Sequence, residues 1–112
     1  MESVRVGIFG LTHPHTWAHL RTLQHSDRVS EVVLYDPNLD VCNQARKDQH
    51  RKVVCVYPDL EEALEKESLL VGIACFQNDE NPDLCCRLAE GGVHILSEKP
   101  IGVSSTEVAR VL

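Results

Sequence analysis

No stretch of this 112-residue chain approaches the ~18 consecutive apolar residues that a membrane-spanning helix needs. The opening MESVRVG passes almost at once into a strand pattern and carries neither the charged n-region nor the apolar h-region of a secretion signal. The five cysteines are odd in number and scattered, with no C-x-x-C pair. Reduced, mostly structural thiols in a cytoplasm are therefore expected. Positive charge is also short: 11 Lys and Arg against 17 Asp and Glu leave a formal charge of −6. That balance argues against nucleic acid or an anionic membrane surface as the main partner, while leaving room for a local phosphate site. Repeats and low-complexity tracts are absent. What is present is ordinary for a globular chain, 43% hydrophobic and 25% charged, and one domain over residues 1–112 is expected.

The most informative stretch is Val4–Thr16, VRVGIFGLTHPHT. Val4, Val6, Ile8 and Phe9 supply the apolar, largely β-branched run of a central parallel strand. Gly10 permits a sharp turn that a residue with a Cβ resists. Pro14 suits the first turn of a helix over Pro14–Gln24, on which Trp17, Leu20 and Leu23 recur at helical spacing. A strand that ends in a glycine turn and opens a helix directs backbone N–H groups and the positive helix end at one point, a natural anion site. The full dinucleotide fingerprint G-x-G-x-x-G is missing, however: Thr12 stands at the second glycine position and His15 at the third. Gly10 alone would fit any βα turn.

Downstream, strand and helix signals alternate. Val32–Tyr35 reads as a short buried strand after a polar connection at Asp27–Ser30, and Asp36-Pro37-Asn38 stops it, with Asn38 placed to cap a helix over Leu39–Gln49. Val53–Val56 is a third strand. Asp59 with Glu62 makes a D-x-x-E start for a helix to about Lys66. Leu69–Phe76, apolar throughout, is the fourth strand. Gln77–Asn81 is a polar loop, and Asn81-Pro82 reads as cap and first position of a helix to Glu90. Gly91-Gly92 ends that helix, Val93–Leu96 is the fifth strand, and Ser104 with Glu107 caps a last helix to Leu112. Five such alternations predict an α/β fold, a doubly wound parallel sheet with helices on both faces. Ligands of such sheets bind outside the carboxyl ends of the strands. The turns Gly10–His13, Asp36, Cys75–Asn78 and Ser97–Pro100 are therefore expected to converge.

Asp36 ends the second strand at the distance after the glycine turn expected of a carboxylate that accepts hydrogen bonds from a ribose. A carboxylate there repels a 2′-phosphate, so NAD is expected over NADP. The plainer reading is a turn made by Asp36-Pro37.

The segment LAEGGVHILSEKP, with Glu98-Lys99-Pro100 directly after the fifth strand, closely resembles the Gfo/Idh/MocA oxidoreductase family. The likeness extends to the Gly10 turn, to YDPN at the end of the second strand and to YPDLEEAL before the third helix, and so covers almost the whole chain. It implies a Rossmann domain that binds NAD or NADP, followed in relatives by a C-terminal α/β domain that builds the substrate site. Carried over position by position, Lys99 would lie beside nicotinamide and substrate as the catalytic residue, and Glu98 near the cofactor. Asp36 would hold the adenosine ribose, and Leu11, Thr12 and His13 would line the pyrophosphate beside Gly10. Cys75 and Phe76 belong to the loop after the fourth strand, where Asn78 stands for the family asparagine in a longer loop made acidic by Asp79, Glu80 and Asp83. A lysine suits hydride transfer because its ammonium stabilises charge on the substrate oxygen. Lysine in a loop is otherwise a solvated surface group.

His13, His15 and His19 cluster at the first helix, and His15 and His19 are spaced for one helical face, which can hold zinc. No partner set of carboxylates or cysteines accompanies them, so surface or cap histidines, and no metal, are expected. Without a sixth strand or a second domain the chain reads as the cofactor half of an oxidoreductase acting on a sugar, polyol or related alcohol. A dinucleotide is its expected partner, with a homo-oligomer as an option and a small-molecule substrate only where a C-terminal domain is present. The alternative is a non-catalytic nucleotide-binding or interaction module, which a titration with NAD separates.

Overall fold

A computed structural model describes residues 4–13, 15–76 and 81–97. Pro14, the Asn78, Glu98 and Lys99 positions and the helix expected over Ser104–Leu112 lie outside the described residues. In chain order the elements are β1 (Val4–Phe9), α1 (Thr16–Gln24), β2 (Val29–Tyr35), α2 (Leu39–Asp48), β3 (Val53–Tyr57), α3 (Leu60–Lys66), β4 (Val71–Ala74), α4 (Asn81–Glu90) and β5 (His94–Ser97). All strand pairs are parallel, in the order β3-β2-β1-β4-β5. The chain therefore runs outward from β1 to one edge, crosses back over β1, and continues on the other side. The reversal lies between β1 and β4.

The two faces follow from the pleat. Val6 and Ile8 of β1 join Val32, Leu34, Val56 and Ile73 under α1 and α2, which contribute Leu20, Cys42 and Ala45. Phe9, Val33, Tyr35 and Ala74 face the other way, against Ala63 of α3 and Leu84, Cys85 and Leu88 of α4. On that second face Phe9 lies over two glycines. A Cβ on Gly7 would stand 2.6 Å from the Phe9 ring, and one on Gly72 would stand 3.1 Å from it. The ring thus fills space that two neighbouring strands leave by lacking side chains. Its removal should cost about 3–5 kcal/mol.

Asn38 caps α2 as expected, its side chain accepting from the Val41 N–H. Asp59 likewise caps α3, but it accepts from the Glu61 N–H, while Glu62 pairs with Lys66 one turn on instead of closing a capping box. Some boundaries move. β2 begins at Val29 rather than Val32, because Val29 pairs with Val4 across an irregular step. β4 is confined to Val71–Ala74; Leu69, Cys75 and Phe76 are apolar because they pack in or against the core, not because they belong to the ladder. α1 begins at Thr16, with His15 as its N-cap. α4 includes Asn81 itself. Cys42, Cys75 and Cys85 are buried, and Cys55 is exposed on the edge strand β3 despite its apolar surroundings in sequence.

Candidate functional site

Three βα turns meet at the carboxyl ends of β1, β2 and β4. Gly10 leaves β1 with φ +107°, and a Cβ there would stand 2.7 Å from the Cys75 carbonyl oxygen. Its N–H donates to Tyr35 O at 2.8 Å, and the Cys75 N–H donates to Phe9 O at 2.8 Å. The glycine is thus required twice, by its backbone angle and by the approach of the β4 turn.

Asp36 is the hinge of this arrangement. It is 4% exposed. Its Oδ2 accepts the Leu11 N–H at 2.9 Å, and its Oδ1 accepts the Asn38 N–H at 2.8 Å. One carboxylate therefore ties the turn after β1 to the turn after β2. Each bond to a charged acceptor is worth about 1.5–3 kcal/mol. Behind it Cys42 of α2 donates its thiol to Asp36 O at 3.1 Å and approaches Tyr57 O at 3.5 Å. Burial pushes the Cys42 thiol pKa up, which keeps it a neutral donor. Asp36 retains unused lone pairs, since an ionised carboxylate offers about four acceptor sites and two are taken.

The start of α1 carries no acidic charge among the described residues, and His15 makes no side-chain cap bond. Thr16, fully buried, donates its hydroxyl to Gly10 O at 2.8 Å and pins the helix to the glycine turn. The residues at the missing glycine positions, Thr12 and His15, are both exposed, so their side chains do not collide with the fold. The His13 ring accepts the His15 N–H through Nδ1 at 3.0 Å and meets the His15 ring edge-on, centroids 5.0 Å apart. Among the described residues no three His, Cys, Asp or Glu side chains are placed to hold a metal ion.

Gly10, Leu11, Thr12, His13, Asp36, Cys75 and Phe76 are thus brought into one region, though not in equal roles. Leu11 and Cys75 point into the core beneath α1 and contribute backbone only. Phe76 is half-buried beside Tyr35, ring centroids 5.9 Å apart. Thr16 and Cys42 were not legible as site residues. The spacing of Asp36 and Asn38, two residues apart, was the available signal for the turn that orients the carboxylate. A cavity of about 520 Å³ lies elsewhere, along the β3 edge between Arg46, His50, Cys55 and Glu62. None of the residues gathered around Gly10 and Asp36 lines it.

The family model GFO_IDH_MocA, described as an oxidoreductase family with an NAD-binding Rossmann fold, matches residues 4–112. No curated protein sequence matches the chain. Among solved structures, the WlbA dehydrogenase of Chromobacterium violaceum, in complex with NADH and UDP-GlcNAcA, superposes with a TM-score of 0.85 at 18% identity, over 99% of this chain and 31% of that one. A structure named for an NADPH-dependent oxidoreductase of Desulfitobacterium hafniense gives 0.87 at 23%, over 99% and 31%. Scyllo-inositol dehydrogenase of Lactobacillus casei, with bound NAD(H) and scyllo-inositol, gives 0.83 at 16%, over 98% and 32%. The chain spans about a third of the length of these neighbours, and at such identities the likeness shows the fold. The chain belongs to the Gfo/Idh/MocA oxidoreductase family and is its NAD-binding Rossmann domain.

Proposed function

We propose that this domain holds NAD in preference to NADP, with the adenosine ribose on Asp36 and the pyrophosphate at the Gly10–His13 turn and the start of α1. The supporting observation is the buried Asp36 carboxylate, oriented by the Leu11 and Asn38 N–H groups beside the glycine turn. Its remaining lone pairs can accept ribose hydroxyls. A 2′-phosphate would bring two negative groups together at low exposure, and the residues that follow, Pro37, Asn38 and Leu39, bring no compensating cation.

In a longer protein with a substrate domain, the domain would serve hydride transfer to or from a sugar, polyol or related alcohol. Bound NAD would supply the hydride acceptor. Lys99 and Glu98 take their roles from the resemblance of SEKP to the family segment. The Lys99 ammonium would hydrogen-bond the substrate oxygen and stabilise its charge in the transition state. Glu98 would stand near the cofactor, and Cys75, Phe76 and Asn78 would border it on the β4 side. The Rossmann domain of a cytoplasmic dehydrogenase is the setting that fits.

The test is a set of calorimetric titrations with NAD and NADP on wild type and Asp36→Ser. Wild type should prefer NAD by tenfold or more, about 1.4 kcal/mol. Asp36→Ser should shrink that ratio, whatever a looser turn does to both affinities. Equal affinity of wild type for the two dinucleotides would leave Asp36 as a tie between turns and nothing more.

A further inference from the structure

We propose that His13 replaces the missing glycines with a side-chain donor: its Nε2–H hydrogen-bonds the pyrophosphate of the dinucleotide. This rests on the reading above, that a dinucleotide lies at the Gly10–His13 turn. In a glycine-rich turn the backbone itself approaches the phosphates. Here the second glycine position, the one that admits the pyrophosphate, is Thr12, so that approach is obstructed. A donor that reaches outward from the turn would restore what the backbone loses.

The ring of His13 is held in the form such a donor needs. Its Nδ1 accepts the His15 N–H at 3.0 Å, so Nδ1 carries no proton. The proton of the neutral imidazole is therefore on Nε2, across the ring from the bond that fixes it. The His15 ring, edge-on at 5.0 Å, limits rotation further. His13 is only half-buried, and among the described residues no group takes its Nε2. Its carbonyl accepts the Thr16 N–H at 3.1 Å, so the residue that carries the ring is itself fixed to the first turn of α1.

Two conservative substitutions separate the halves of the ring. His13→Asn keeps an acceptor at the Nδ1 position and removes the Nε2 donor. His13→Gln keeps an N–H at the Nε2 position and removes the Nδ1 acceptor. Each variant of the chain is titrated with NAD, ADP-ribose and adenosine. For NAD and ADP-ribose, His13→Asn should weaken binding about tenfold or more, and His13→Gln, which keeps the donor but loses its anchor, should weaken it severalfold less than His13→Asn does. Adenosine, which has no phosphate, should bind all three alike. Wild-type affinity for NAD in His13→Asn overturns the inference, as does a loss in His13→Gln as large as that in His13→Asn. If wild type binds no dinucleotide, the proposed function falls and this inference with it. Should a variant fail to fold, the ring's nitrogen shifts by NMR in the wild-type chain decide. The Nε2–H form is expected, with a further change on addition of ADP-ribose; an Nδ1–H form, or no change on binding, contradicts it.

Discussion

The two rims of the sheet treat charge in opposite ways. At the amino ends of the strands, charges are matched against each other. Arg5 of β1 lies 2.9 Å from Glu31 of β2 and 2.7 Å from Glu67 after α3. Lys52, in a left-handed backbone conformation with φ +69°, sends its ammonium to Ser26 O at 2.7 Å, and Arg51 bonds Gln24 O at 2.8 Å, so both cover the negative end of α1. At the carboxyl ends, the buried Asp36 is held by neutral N–H groups, and among the described residues no cation pairs with it. A charge cancelled by a counter-ion has little left for a ligand. A charge oriented by backbone dipoles keeps its field and its free lone pairs. One rim is closed by ion pairs and helix-end contacts of the chain itself, and on the other Asp36 keeps acceptor capacity that the two N–H bonds do not use.

The largest test of this contrast is Gly10→Ala. The left-handed φ and the 2.7 Å approach to a backbone oxygen both oppose a Cβ, and a loss of about 3 kcal/mol or more in denaturant unfolding is expected. Gly92, with φ +78° and nothing within 4 Å, is the comparison. Gly92→Ala should cost about 1 kcal/mol. Equal losses would mean that the meeting of the β1 and β4 turns imposes nothing.

Next come substitutions at the carboxylates of the two rims. Asp36→Ala leaves two N–H groups without their acceptor and should cost about 2–3 kcal/mol. Glu67→Gln, on the opposite rim, should cost about 1 kcal/mol and leave NAD affinity unchanged, since it weakens a partly solvated pair with Arg5. A change in NAD affinity with Glu67→Gln would break the division between the rims.

Tyr57 ends β3 and is buried on the face under α3. Its burial first, and then the nearby Cys55 and Glu67, hold its phenol pKa up at about 12, against 10 for an ordinary tyrosine. Below pH 10 the folded and unfolded chains both keep the proton. Between 10 and 12 the unfolded chain releases it first, so stability should fall as pH rises through that window. Tyr57→Phe should flatten the decline in unfolding curves taken at successive pH values. The smallest effect belongs to the surface pair of the half-buried Arg87 and the exposed Glu61, whose geometry is close and bidentate. Water screens such a pair, and Arg87→Ala should leave the unfolding midpoint unchanged within error.

Much of the fold was legible because its elements carry local signals. The apolar runs that give β1 to β5, the Asn38 and Asp59 caps and the helix after Asn81 all depend on residues close in sequence. The doubly wound class followed from the alternation of strands and helices, whereas the order β3-β2-β1-β4-β5 is fixed by pairings between distant strands. The misplaced boundaries have non-local causes. Val29 enters β2 only because β1 offers it a partner across an irregular step, and Leu69 is apolar for the sake of the Phe9 side of the core. For the site, the convergence of the Gly10, Asp36 and Cys75 turns was readable from strand ends. The bonds that fix it were not. The Leu11 N–H reaches Asp36 across 25 positions, and Cys42 serves two carbonyls, one just after β2 and one at the end of β3. Composition and spacing carry no trace of such pairings.

The central claim is that the dinucleotide binds at the carboxyl rim and leaves the amino rim untouched. Backbone amide shifts of the labelled chain, followed by NMR as NAD is added, test it residue by residue. Leu11 and Asn38, whose amides are bonded to Asp36, should move most, together with Gly10, Thr12, His13 and Phe76. Arg5, Glu31, Lys52 and Glu67 should stay in place. Shifts centred on Arg5 and Glu67, or along the β3 edge at Val54 and Cys55, would contradict the account.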